Sequence, residues 1–371
     1  MHRGDTPGSC VVVRQDEAVA VDGLHGRVAA VAGGAAAVTT PAVEELAGLF
    51  GLVSLEARPY LVGFRETEVL CVLAGPGHAV LRAQGLSLLR LLDWASLGAP
   101  GAVMSPEEDD FLSFLKSFCF CFSPTYDFTQ TLQRAAEAGR QQQQQLDRRF
   151  FWNATAAAAF VGAGLGGWVQ PVTDAFVGVA EEGGLQYVLV SRRSRRRQGA
   201  RFLVRGADLL GNVANWVETE QIVSWGGRAA AFVQARGSIP VCWQQRGDGG
   251  ELMPLPRVQW PPLWSVAHRR HWEELTQGDT AVTAVSLVDQ HGAESVLGQA
   301  YESAVRVWNA ERPGREVRFV WFDFHAECKR AGYQVLGTLS ARVLGSVESS
   351  FFCPSAGLRQ TALLRTNCVD W

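Results

Sequence analysis

The apolar residues change rhythm part-way along this chain, and the change limits the folds open to it. Through the first part, short Val-rich or aromatic runs (Cys10–Val13, Ala18–Val21, Arg27–Val31, Tyr60–Phe64 and Val69–Leu73) are separated by Gly, Pro and Asp, which is the pattern of short strands. Two helices are expected among them. One covers Pro41–Leu49, with Thr39 or Thr40 as its cap, and the other Ser105–Phe120. The second opens on Ser105-Pro106-Glu107-Glu108, with proline in the first turn and acids at the positive end of the helix dipole. After the glutamine run Gln141–Gln145 the elements alternate. An Ala-rich helix at Ala154–Phe160 is followed by strands at Val172–Val179, Tyr187–Ser191, Ala229–Gln234 and Val317–Phe324. Helices are expected at Ala267–Leu275, Ser295–Trp308 and Tyr333–Leu344. Alternation of this kind reads as α/β, and the chain overall as α+β: a β-rich unit over 1–140 and an α/β unit over 141–371.

Composition narrows the class. A chain of 371 residues, 47% hydrophobic and 19% charged, can bury a large core, which excludes global disorder and small disulfide-stapled folds. The net charge of −3 excludes a polycation. The eight cysteines are scattered, so reduced thiols are expected. No secretory signal and no membrane-spanning run of apolar residues is read.

Several motifs are weighed against plainer readings. Gly162-Ala-Gly164-Leu-Gly166-Gly167 matches a dinucleotide-loop pattern. That loop needs a strand before it and a helix after it, whereas here a helix is expected before it, so a plain loop is read. Cys119-Phe-Cys121 and His268-Arg-Arg-His271 have metal half-site spacing but no matching pair, and are read as buried thiols and surface histidines. No metal or other cofactor is expected.

Two segments carry more. From Ser191 to Arg205 the chain holds seven arginines and no acid. It could be a nucleic-acid patch, a solvated face or a phosphate site, since guanidinium forks match phosphate geometry. The apolar strand before it, and Gly211-Asn-Val-Ala-Asn215 and Glu218-Thr-Glu-Gln221 after it, favour the phosphate site, because these polar groups can orient arginines. At the other segment, Leu363-Leu364-Arg365-Thr366-Asn367-Cys368-Val369-Asp370, an apolar run ends in a polar turn with a cysteine at its crest. Such a turn can form an anion nest that lowers a thiol pKa, although many cysteines simply end strands.

Together these pieces resemble the Sac-domain phosphoinositide phosphatases. The matching runs include Phe122-Ser-Pro-Thr-Tyr-Asp127, Arg149-Phe-Phe-Trp-Asn153, Ser191-Arg-Arg-Ser-Arg195, Gly211-Asn-Val-Ala-Asn215, Val217-Glu-Thr-Glu-Gln221, Phe322-Asp-Phe-His325 and Arg365-Thr-Asn-Cys368 with Asp370. The resemblance implies a β-rich N-terminal subdomain packed on an α/β catalytic subdomain. The implied reaction is metal-independent removal of an inositol-ring phosphate, most often from phosphatidylinositol 4-phosphate, through a phosphocysteine intermediate. Cys368 aligns with the nucleophile, and Asp370 with an acid/base or loop-ordering group. Arg192, Arg193, Arg195, Arg201, Arg205, Arg365 and Asn367 are implied to bind substrate. Asp323, His325 and Asn212 are implied to support them. The partner implied is a phosphoinositide lipid at the cytosolic face of an endomembrane, with the chain peripheral and no nucleic acid bound.

The family motif continues after the second residue past Cys368 as Cys-Leu-Asp-Arg-Thr-Asn, where this sequence has Trp371 and stops. The phosphate-binding arginine is therefore not in these 371 residues, and the polypeptide as written is expected to lack substantial phosphatase activity. The alternative is a catalytically dead Sac-like module that binds a membrane or a protein partner.

Overall fold

A computed structural model describes residues 2–3, 9–22, 27–32, 34–37, 45–73, 77–91, 104–140, 146–200, 203–245, 254–259, 263–277, 280–345, 347–348 and 350–367. The chain divides into two compact units. The first holds 1–73, 77–130 and 145–175, and the second holds 74–76, 131–144 and 176–371.

In the first unit, β1 (His2–Arg3), β2 (Ser9–Arg14), β3 (Glu17–Asp22) and β4 (Arg27–Ala30) form a sheet in that order. A second sheet runs β5 (Gly48–Leu55), β6 (Arg58–Val72), β7 (Ala79–Arg90) and β8 (Phe120–Phe122), all antiparallel. The two runs expected at Tyr60–Phe64 and Val69–Leu73 are one long strand, β6. Its Tyr60–Phe64 stretch is buried without alternation because both faces are covered. Leu61 packs with Val19, Phe151 and Phe160, whereas Val62 and Phe64 pack with Leu112, Leu115 and Phe122. Of the helix expected at Pro41–Leu49, the first four residues lie outside the described ones, and Gly48 and Leu49 open β5 instead.

Helix α1 (Pro106–Lys116) begins where Ser105 predicted it, with a complete capping box to Glu108. The buried Glu108 carboxylate also takes two bonds from the Arg90 guanidinium, which holds its pKa down at about 2. Residues 145–175 return to this unit through Asn153. Asn153 Nδ2 donates to Phe50 O (2.8 Å) and Gln170 O (2.9 Å), while its Oδ1 accepts from Val172 N (2.9 Å). The short α3 (Ala158–Gly162) precedes the glycine pattern, so the dinucleotide context is absent.

The second unit opens with α2 (Leu132–Arg140). Strand β9 (Thr173–Glu182) continues from the first unit into the second, and β10 (Leu185–Arg193), β11 (Val217–Trp225) and β12 (Arg228–Arg236) follow it in an antiparallel meander. A small pair, β13 (Trp243–Gln244) and β14 (Arg257–Val258), precedes α4 (Leu263–Leu275). From β12 the sheet turns parallel, through β17 (Ala362–Asn367) and β15 (Ala281–Ser286) to β16 (Val317–Trp321). Helix α5 (Ser295–Glu311) buries Leu297, Tyr301, Ala304, Val305 and Trp308, a helical-period stripe. Asn309 locks α5 to β16 by exchanging bonds with Val317 N and O at 2.8 and 3.0 Å. Helices α6 (Phe324–Ala331) and α7 (Val335–Leu344) complete the unit. Among the described residues, no helix is long and apolar enough to cross a membrane.

Candidate active site at the carboxyl ends of the parallel strands

Strands β12, β17, β15 and β16 end at one edge. Arg236 lies opposite Thr366, and Ser286 lies opposite both Asn367 and Trp321. The ladder runs one residue further, with Leu287 N donating to Asn367 O (3.0 Å) and Phe322 N to Ser286 O (2.9 Å). In open α/β sheets, ligands bind beyond the carboxyl ends of strands like these. Cys368 follows Asn367 directly and Asp370 comes two residues later; both lie outside the described residues, as does Arg201.

The approach to that edge is fixed by Arg365, which has no exposed surface. Its Nε donates to His271 Nε2 (3.3 Å) and its Nη1 to Tyr301 Oη (3.0 Å) and Asn367 Oδ1 (3.3 Å). Its Nη2 donates to Ser238 O. The guanidinium also lies over the rings of Tyr301 and Trp216. Burial pulls the pKa of Arg365 down, and it pulls that of His271 well below the usual histidine value, with the Arg365 charge adding to the effect. The partners assign the tautomer: His271 Nδ1 donates to Gly211 O (3.2 Å), which leaves Nε2 as acceptor. His268 and His271 are thus buried rather than on the surface, as the sequence suggested, because α4 turns them inward.

The arginine-rich segment divides by burial. Arg192 is 0% exposed and pairs with Glu220 at 2.7 Å. Glu220 Oε1 also accepts from Leu132 N (2.8 Å), at the start of α2. Neighbouring Glu218 pairs with Arg134 of the same helix. The acids of β11 thus bind α2 and β10 together, which is the orienting role their position suggested. Arg205 is 2% exposed, donates to Gln245 Oε1 (3.2 Å) and lies over Trp243. Arg193 and Arg195 are exposed. The expectation that Arg192, Arg205 and Arg365 touch substrate therefore meets three side chains enclosed by protein.

Asp323 caps α6 by accepting from Ala326 N (2.9 Å), and its second oxygen accepts from Gln290 N (2.8 Å). His325 is exposed and hydrogen-bonded to Asp289 (2.8 Å), which raises its pKa. Asn212 closes a turn on Asp208 and accepts from Arg196. Sequence reasoning missed Tyr301, His271 and Ser238 as the enclosure of Arg365. An arginine inside the apolar strand Leu363–Asn367 was the available sign that such an enclosure must exist.

Residues 47–329 match the SacI homology domain. The chain belongs to that family. Its relatives include phosphatidylinositide phosphatase SAC2 of Danio rerio, 32% identical over 69% of this chain and 26% of the relative. Phosphatidylinositol-3-phosphatase SAC1-B of Danio rerio is 31% identical over 90% of this chain and 58% of its own length. For phosphatidylinositol-3-phosphatase SAC1 of Drosophila melanogaster the figures are 30%, 94% and 60%. The chain thus spans from about a quarter to three-fifths of the length of these relatives. The SacI homology match takes in the arginine-rich segment, the β11 acids, α4, α5 and Asp323–His325, and ends before β17.

Proposed function

We propose that this SacI homology chain is the phosphatase region of a phosphoinositide phosphatase, with phosphatidylinositol 4-phosphate as its substrate. The observation that carries this reading is β17: a strand flanked by parallel neighbours on both sides and pinned by Arg365, with Cys368 directly after its last residue, Asn367.

The Cys368 thiolate attacks phosphorus, the bond from phosphorus to the inositol oxygen breaks, and phosphocysteine forms. Water then cleaves the S–P bond, releasing phosphate and regenerating the thiolate. Asp370 transfers a proton to the leaving oxygen or orders the loop. Arg193, Arg195 and Arg201 attract the anionic headgroup. Arg192, Arg205 and Arg365 are positioning residues, since each is enclosed by protein. Asn367 spans both roles: its Oδ1 accepts from Arg365 and it directly precedes Cys368 in the chain.

The test is phosphate release from phosphatidylinositol 4-phosphate by two chains, one ending at Trp371 and one continued through the family's Cys-Leu-Asp-Arg-Thr-Asn in place of Trp371. The continued chain is expected to turn over. The 371-residue polypeptide is expected to be slower by at least about 10²–10³-fold, the usual effect of losing one transition-state donor. Cys368→Ser in the continued chain should abolish release, and turnover by that variant would refute the mechanism. Vesicle binding without turnover by the continued chain would move the protein to a binding module.

A further inference from the structure

Within the arginine-rich region, one turn holds two leucines out in water. Asp208 Oδ1 accepts from Leu210 N and Asn212 N, each at 2.9 Å, and its Oδ2 accepts from Asn212 Nδ2 (2.9 Å). Asp208 N donates in turn to Asn212 O (3.0 Å). The turn is thereby closed by its own carboxylate. Its tip residues, Leu209 and Leu210, are 47% and 69% exposed, and Leu203 earlier in the segment is 63% exposed. Single exposed leucines are ordinary. Two adjacent ones at the tip of a closed hydrogen-bonded turn form an ordered apolar projection.

Two guanidinium groups hydrogen-bond to this turn. Arg270 Nη1 donates to Leu209 O (2.7 Å) and Arg196 Nη1 to Asn212 Oδ1 (3.4 Å), and both side chains are exposed. Exposed Arg193 and Arg195 lie in the same segment. Between Arg192 and Val217, Asp208 is the only acid in the sequence, and its oxygens are engaged within the turn.

We propose that the Asp208–Asn212 turn is a membrane wedge, with Leu209 and Leu210 entering the interfacial layer of an anionic bilayer and Arg196 and Arg270 holding its headgroups. Apolar insertion and cationic attraction reinforce each other at such an interface. A nucleic-acid partner would use the arginines but leave the leucines without a role. The wedge rests on the reading of this chain as acting on a membrane lipid. It is also wired to β17, since Gly211 O accepts from His271, which accepts from Arg365. Gly211 has φ +86°, and a Cβ there would lie 2.8 Å from His271 N, so this junction requires glycine. Insertion of the tip would thus fix how far the end of β17 stands from the lipid.

The test is co-sedimentation of the 371-residue chain with phosphatidylcholine vesicles and with phosphatidylcholine–phosphatidylserine vesicles. The unaltered chain is expected to bind the anionic vesicles and not the neutral ones. The double variant Leu209→Asn/Leu210→Asn should bind them at least about tenfold more weakly, the scale of removing two partly inserted leucines. Leu336→Asn, at a 44% exposed leucine on α7, should bind as the unaltered chain does. Circular dichroism of each variant should match that of the unaltered chain. Equal anionic-vesicle affinity for the tip variant, an equal loss in Leu336→Asn, or no binding by the unaltered chain would each overturn the wedge. Phosphatidylserine is not a phosphoinositide, so the catalytic reading is judged separately, by turnover of a water-soluble short-chain phosphoinositide by the continued chain.

Discussion

Two arginines without exposed surface sit in the second unit, Arg192 on β10 and Arg365 on β17. Arg192 faces a carboxylate, Glu220, from the adjacent strand. Arg365 bonds to four neutral acceptors drawn from separate parts of the chain: a tyrosine on α5, a histidine on α4, an asparagine on its own strand and the Ser238 carbonyl after β12. A buried ion pair cancels its own charge and is often replaceable by apolar side chains. A buried cation spread over neutral groups is a poor way to add stability, because desolvation opposes it at every step. What it provides is fixed geometry, and here the fixed element is the strand that leads to Cys368. Burial of charge alone therefore does not mark a site in this protein; what matters is which elements the buried charge ties together.

The largest expected effect tests the paired side of that contrast. Arg192→Ala leaves Glu220 charged and buried, and should cost about 3–5 kcal/mol in urea unfolding. Replacing both partners, as Arg192→Met with Glu220→Leu, should recover most of the loss. A residue of about 1 kcal/mol should remain, because Leu132 N loses its acceptor at the start of α2. If the double variant is no more stable than Arg192→Ala, the pair is not the separable unit described.

Arg365→Met should cost somewhat less, about 2–3 kcal/mol, since the groups it leaves without a donor are neutral. No single second substitution should restore it, because those groups belong to four segments. Arg365→Lys should also fail, since an ammonium cannot present the planar fork that reaches Tyr301, Asn367, His271 and Ser238 together. Full rescue by lysine would show that charge, rather than geometry, is what this position needs.

The same contrast explains what could be read from the sequence. The capped start of α1, the strands β9, β10, β12 and β16 and the helix α5 were legible because they are local patterns of capping, β-branching and helical period, whereas β11 and β15 were not read. The arginine-rich segment was conspicuous, but its division into enclosed and exposed arginines was not. That division depends on β10 pairing with β11, which sets Arg192 beside the acids, a contact 28 residues away in sequence. The enclosure of Arg365 was less legible still, since Tyr301 and His271 lie 64 and 94 residues away. Strand β6 misled locally: the polar, largely exposed Arg65-Glu66-Thr67-Glu68 stretch interrupts its apolar residues, and a single strand read as two.

The smallest effect near neutral pH, and the finest probe of the contrast, is His271. It is buried against Arg365, and both burial and that charge lower its pKa well below 6.5. The unfolded chain takes up a proton near 6.5 and the folded chain does not, so this stabilisation is complete above that pH and is lost as pH falls below it. The slope should be about 1.4 kcal/mol per pH unit for as long as folded His271 stays neutral. Exposed His325 has the opposite sign: Asp289 raises its pKa, so its contribution is present at low pH and lost as pH rises through the elevated value. The His271 term is therefore best read as a difference, the pH dependence of unfolding in the unaltered chain minus that in His271→Gln, whose amide oxygen still accepts from Arg365. The slope should vanish from the glutamine variant and persist when Arg192 and Glu220 are replaced together. A slope unchanged by His271→Gln would mean that the ring titrates freely in the fold, and that the enclosure of Arg365 is looser than its hydrogen bonds imply.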